Sequence, residues 1–142
     1  MTISGAIPHE IPVVAARADI DGLGHVNNLV YVRWIQEAAI AHWNILATPQ
    51  EQEEIAWVVR RHEIDYQRSA VEGDRITLRT WVGLASRTTF ERHTEIIRAQ
   101  DGQLLAKART LWCPIDARTG RIKRVGPELR DRVSVPGALP DR

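Results

Sequence analysis

Helical periodicity runs through one long stretch of this chain and no other of comparable length. That asymmetry limits what the chain can fold into. From about Asn28 to Leu46, the residues Val30, Tyr31, Trp34, Ile35, Ala38, Ala41, His42 and Ile45 recur at spacings of three and four and share one side. Arg33, Gln36 and Glu37 fall on the other side. Asn27 and Asn28 are residue types that cap helix N-termini. The small run Ala38-Ala39-Ile40-Ala41 lets such a helix lie close against a sheet. Thr48-Pro49 marks its end, because proline disfavours the α conformation in the residue before it.

The remainder reads as strands. Ile11 to Ala18 is β-compatible, and Asp19-Ile20-Asp21-Gly22-Leu23-Gly24 then breaks the strand. Ile55 to about Arg68 has apolar points at Trp57, Val59, Ile64 and Tyr66. Arg75 to Leu84 alternates, Arg87 to Ala99 follows, and Asp101-Gly102 signals a hairpin into Leu104 to Ile115. A short strand is expected near Ile122–Val125, and Pro127 opens a short helical turn. Short turns between consecutive strands leave no room for βαβ crossovers. The class is therefore α+β, one long helix after the first strand followed by an antiparallel meander. The 142 residues suit a single domain, with residues 1–9 and 136–142 expected to be loosely held.

Composition narrows the function classes. Nineteen basic residues balance 18 acidic ones and are interspersed with them, so the basic stripe of a nucleic-acid binder is missing. No apolar run reaches the roughly 20 residues that span a bilayer. The N-terminus shows neither the basic nor the apolar region of a signal peptide, which points to the cytoplasm. A single cysteine, Cys113, excludes an intramolecular disulfide. The histidines show no metal-ligand spacing, so no metal site is expected.

The least generic segment runs from Arg17 to Trp34. Asp21 precedes a helix N-terminus, and Gly24 permits close backbone approach. A helix start presents unpaired N–H groups and the positive end of the macrodipole, which together can receive an oxyanion. A carboxylate beside it can act as a nucleophile or activate water. The combination suits hydrolysis of an activated acyl group. Asp19, Asp21, Asn27 and Asn28 also fit plain turn and capping roles.

Asp21-Gly22-Leu23-Gly24-His25-Val26-Asn27-Asn28, with Tyr31 and Trp34 following, resembles the motif of hot-dog-fold thioesterases. These comprise the 4-hydroxybenzoyl-CoA thioesterase-like enzymes and the related acyl-carrier-protein thioesterases. The resemblance extends from about Val13 to Val133 through Glu63–Arg68, Gly73-Asp74 and Leu104–Asp116. It implies a sheet wrapped around a long central helix and a homo-oligomer, dimer or tetramer, with its active site at the subunit interface. It implies an acyl-CoA or acyl-carrier-protein substrate and no cofactor. By the same resemblance, Asp21 is the nucleophile or general base, the Asn28 N–H polarises the carbonyl and His25 has a supporting catalytic role. Leu23 departs from the plant carrier-protein enzymes, which have asparagine there, and this favours an Asp-centred mechanism on an acyl-CoA. Glu37, the helix carboxylate, falls on the polar face. Gly24, Tyr31 and Arg87 are expected to contact substrate, Arg87 through the phosphates of CoA. A non-catalytic acyl-CoA-binding module is the reading from a different class.

Overall fold

The computed structural model describes residues 4–139. Strand β1 is His9–Val14, and a single 3₁₀ turn at Arg17–Asp19 follows it. Helix α1 is Asn28–Leu46 and helix α2 is Pro49–Glu54. Strands β2 (Ile55–Tyr66), β3 (Arg75–Ala85), β4 (Phe90–Arg98) and β5 (Gln103–Asp116) come next, then helix α3 (Pro127–Val133). The strands form one antiparallel sheet in the order β1-β3-β4-β5-β2.

Helix α1 seals one face of this sheet. Its Val30, Tyr31, Trp34, Ile35 and Ala38 pack with Ile76 and Leu78 of β3, Ile96 of β4, and Leu105, Ala106 and Ala108 of β5. Leu78 pairs with Ile96, and Ile96 with Ala106, so one row of side chains crosses three strands beneath the helix. Burying each of the large aliphatic side chains contributes about 1.5–3 kcal/mol. A second cluster forms where the C-terminal half of α1 meets α3: Leu46, Ile55, Val82, Phe90, Val125, Leu129 and Val133.

Strand β2 shows how the chain corrects its phase. Trp57 and Val59 are half-buried by alternation, as are His62 and Ile64, but Val59 and Ile64 lie five positions apart. A register shift between Val59 and Arg61 absorbs the odd spacing. Arg60 and Arg61 are therefore both exposed.

Several boundaries differ from the sequence expectation. Strand β1 starts at His9 and ends at Val14, because the Asp19 carboxylate takes the Ala16 N–H at 2.9 Å and coils residues 17–19. Thr48-Pro49 does more than stop α1. Thr48 Oγ1 accepts from the Glu51 N–H at 3.1 Å and Glu51 accepts from the Thr48 N–H at 2.8 Å, a capping box that opens α2. Strand β4 starts at Phe90 instead of Arg87, since Ser86 Oγ takes the N–H groups of Thr88 and Thr89 and turns the chain there. The strand expected near residues 122–125 is one bridge, Ile115 to Ile122. Ile45 leaves the apolar side, at 48% exposed.

Within the segments expected to be loose, the Gly5 N–H donates to the Arg132 carbonyl at 3.1 Å and its carbonyl accepts from Val82 N–H at 2.7 Å. A Cβ on Gly5 would overlap the Val133 carbonyl, so only glycine fits. The Leu139 N–H donates to the Ala85 carbonyl at 3.3 Å. Residues 1–3 and 140–142 of those segments lie outside the described residues.

His42 is 1% exposed and stacks on His9. Its Nδ1 accepts from Arg92 Nη1 at 2.8 Å. Burial, then the Arg92 charge, then His9 push its pKa down to about 3. Folded His42 thus stays neutral at acidities where the unfolded chain's histidine, near 6.5, is charged. The unfolded state binds the extra proton, so stability falls as pH drops from about 6.5 toward 3, by up to about 1.4 kcal/mol per pH unit. We expect His42→Gln, whose amide oxygen accepts from Arg92 and does not titrate, to show a shallower acid decline. Urea unfolding across that pH range, run on both proteins, measures the difference.

Candidate active site

The loop before α1 is closed by its own backbone. The Asp21 N–H donates to the His25 carbonyl at 2.8 Å, and Gly24 N–H returns to the Asp21 carbonyl at 3.1 Å. Gly24 sits at φ 79°, in the left-handed region that glycine occupies without strain. Ile20 and Val26 bridge across the loop's base. The base is then fixed to the rest of the molecule at two places: the Val26 N–H donates to Ala70 at 2.8 Å, and the Asn27 N–H to Asp19 at 2.9 Å.

Asp19 is the brace, and sequence reading assigned it no part in a site. It is 6% exposed and its Oδ1 receives Arg33 Nη2 of α1 at 3.0 Å. Its Oδ2 takes the Ala16 N–H and its carbonyl takes the Asn27 N–H. Through its carboxylate and its backbone carbonyl, Asp19 thus joins the segment after β1, the loop and the first turns of α1.

Asn27 is the N-cap of α1, its Oδ1 accepting from the Leu29 N–H at 2.9 Å. Asn28 is the first helical residue, and its N–H has no acceptor among the described residues. Asp21 Oδ1 receives the N–H groups of Leu23 at 2.9 Å and His25 at 3.3 Å. Its Oδ2 is unengaged among the described residues.

Asp21, His25, Asn28 and Tyr31 line one open cleft. Its far wall is the end of β2 and the segment after it: Tyr66, Gln67, Arg68 and Ser69. From sequence, Tyr66 is an apolar strand point and Glu63–Arg68 is part of the family resemblance, and none of these wall residues is placed beside the 21–31 segment. No spacing within the chain links them to the 21–31 segment, and only the fold brings them together. Gly24 shapes the loop without lining the cleft. Arg87 is elsewhere, exposed in a separate concavity with Ser86, Arg130, Asp131, Val135 and Leu139. Within one chain it does not reach the cleft. Glu37 pairs with Arg33 at 3.4 Å on the exposed side of α1.

Tyr31 serves the wall. Its ring is buried edge-on between Trp34 and Tyr66, and its hydroxyl accepts from the Ala70 N–H at 3.0 Å. Burial raises its pKa above the ordinary tyrosine value, so it stays protonated at neutral pH. We expect Tyr31→Phe to strand the buried Ala70 N–H and lower stability by about 1–3 kcal/mol. Tyr66→Phe, which removes only a 3.4 Å contact to the Asn28 carbonyl, stays within about 0.5 kcal/mol. Denaturant midpoints for the two variants test the contrast.

Among the described residues no three His, Cys, Asp or Glu side chains converge as metal ligands, and no helix is long and apolar enough to cross a membrane. The five-stranded sheet with its long helix matches solved hot-dog thioesterases. A 1,4-dihydroxy-2-naphthoyl-CoA thioesterase from Synechocystis superposes with a TM-score of 0.74 at 24% identity, over 87% of this chain and 92% of its own. A thioesterase from Thermus thermophilus, solved with coenzyme A and Zn, gives 0.75 at 24% identity, over 87% and 94%. In sequence, a chloroplastic palmitoyl-acyl carrier protein thioesterase from Cuphea hookeriana is 24% identical over 108 residues, covering 70% of this chain. This chain spans only 26% of that relative's length. The profile of the thioesterase-like superfamily matches residues 16–133, which takes in the loop, the helix and all of the cleft. The chain belongs to that superfamily.

Proposed function

We propose that this chain hydrolyses acyl-CoA thioesters at the cleft formed by Asp21, His25 and the start of α1. The observation that carries the reading is the juxtaposition of a half-engaged carboxylate with an unpaired helix N–H in one open cleft. The superfamily match supports thioester chemistry. The naming of a structural neighbour as a CoA thioesterase supports the CoA form of the substrate.

The thioester carbonyl oxygen lies against the Asn28 N–H, where the positive end of the helix macrodipole stabilises the developing oxyanion. Asp21 either attacks the carbonyl carbon through its free oxygen or takes a proton from an attacking water. In both routes the C–S bond breaks and the thiolate leaves. Thiols ionise near pH 8.5, far below alcohols, so the sulfur departs without strong acid assistance. Water supplies the second oxygen of the product acid and, in the end, the proton of the free thiol. His25 positions water or substrate at the loop's edge.

We propose that the whole chain forms one such domain and acts as a homo-oligomer in the cytoplasm. Strand β2 is a sheet edge with Val58 exposed, and Leu29, Ile40 and Ile45 are exposed on α1. A second copy pairing there would cover apolar surface and place its own residues beside the cleft. A carrier-protein substrate is the second reading, because relatives in sequence are named acyl-carrier-protein hydrolases and thioesterases.

We expect wild-type protein to release free thiol from a panel of short, long and aromatic acyl-CoAs. Asp21→Asn should lose at least ~10²-fold in kcat, the scale of one removed transition-state partner. Retention of most activity in the folded variant would remove Asp21 from the mechanism. Faster turnover of the same acyl group on carrier protein than on CoA would transfer the reading to the carrier substrate.

A further inference from the structure

We propose that a second cavity, at the C-terminal half of α1, is a receptor for a compact apolar carboxylate, with Arg92 holding the carboxylate and tryptophans forming the walls. The cavity lies between α1 and the sheet and is bounded by Trp43, Trp57, Val82, Phe90, Arg92 and Trp112. None of its residues lines the Asp21 cleft.

Arg92 is the anomaly that demands an explanation. It is 7% exposed, and desolvation lowers its pKa only to about 10, so it is charged at neutral pH. Its Nη1 donates to His42 Nδ1 at 2.8 Å and to Thr80 Oγ1 at 3.1 Å. Both acceptors are neutral. The guanidinium has no carboxylate partner among the described residues, and Nε and Nη2 donate to nothing there. Glu91 borders the cavity as well, but its oxygens are committed. Oε2 receives Arg109 Nε at 2.5 Å, and Oε1 receives the Leu84 N–H and His93 Nε2, each at 3.2 Å. A buried cation without a counter-charge is destabilising, because its lost hydration is not repaid.

Two further observations point the same way. Trp57 and Trp112 both line the cavity, and each has a buried indole N–H without an acceptor. Unfilled hydrogen-bonding capacity among the residues that line the cavity consists of donors: Nε and Nη2 of the guanidinium and, enclosed in the walls, the two indole N–H groups. The missing chemistry is an acceptor bearing negative charge. A phosphate would be stripped of water against aromatic walls, whereas a carboxylate on an apolar body matches both the donors and the lining. The internal space, about 70 Å³, holds a handful of water-sized spheres and sets the scale at a single ring or a short chain. This inference stands apart from the hydrolysis at Asp21, although free acids released there would be of the same chemical class.

The test uses benzoate and hexanoate as probes, with benzamide as the neutral isostere of benzoate. In the wild type, either acid is expected to shift the indole N–H resonances of Trp57 and Trp112 among the five indoles and to raise Tm; benzamide should do neither. Arg92→Met should weaken the acid response about tenfold or more. If Arg92→Met does not fold, the wild-type contrast between benzoate and benzamide decides alone. Equal responses to benzoate and benzamide, indole resonances unmoved by both acids, or an undiminished response in folded Arg92→Met would each overturn the proposal.

Discussion

The close seating of α1 on the sheet is the constraint from which the other features follow. Ala38 on the helix and Ala106 and Ala108 on β5 keep the interface thin beneath the N-terminal half of α1, where Trp34, Ile35, Leu78 and Ile96 pack together, each 1% exposed or less. With α1 fixed, its N-terminus has one possible position relative to the end of β2. The cleft is that position: the helix start on one side and residues 66–69 on the other. A helix even one residue out of register would turn Tyr31 away from Ala70 and remove the bond that holds the far wall.

The loop before α1 adds precision to that placement. A segment of small and polar residues cannot bury enough apolar surface to hold itself, so backbone bonds and one carboxylate do the holding. Asp19 works from the buried side and Asp21 from the cleft side. Asp19 is fully engaged, with partners on Ala16 and Arg33. Asp21 spends one oxygen on the loop and keeps the other. The division explains why two aspartates two residues apart have different fates, one a strut and the other a reactive candidate.

How far the sequence could be read follows from the range of the interactions. Helix α1 was legible to the residue, because its caps and its periodicity are local. The fold class and the convergence of Asp21, His25 and Asn28 were legible for the same reason, since they lie within eight consecutive positions. The capping box at Thr48 was also local, yet the proline beside it was read only as a stop. Strand β2 was legible as one long strand, and the odd spacing of Val59 and Ile64 marks the phase change that its bulge against β5 absorbs. Arg87 was read by pattern as a strand start and by resemblance as a substrate contact; the Ser86 hydroxyl turns that segment into a loop, and within one chain Arg87 does not line the cleft. The residues of the cleft's second wall could not be found by spacing, because their proximity is created by the sheet.

Buried charge is where this chain departs from local rules, and the departures sort themselves. Asp19 is matched by Arg33, and Glu91 by Arg109 and His93. In each case attraction and hydrogen bonds compensate the loss of water. Burial alone would work against ionising Glu91, but the bonds from Arg109 and Leu84 outweigh it and hold its carboxyl below the usual range. Arg92 breaks the pattern. Its neighbours His42, Thr80 and Thr94 form a polar seam in the core, with Thr80 Oγ1 3.2 Å from Thr94 Oγ1, and none of them carries a negative charge. Stability alone would favour an apolar side chain of similar volume there. A sequence that elsewhere pairs each buried carboxylate, and here keeps a lone cation among tryptophans, holds that cation for something the folded chain does not itself supply.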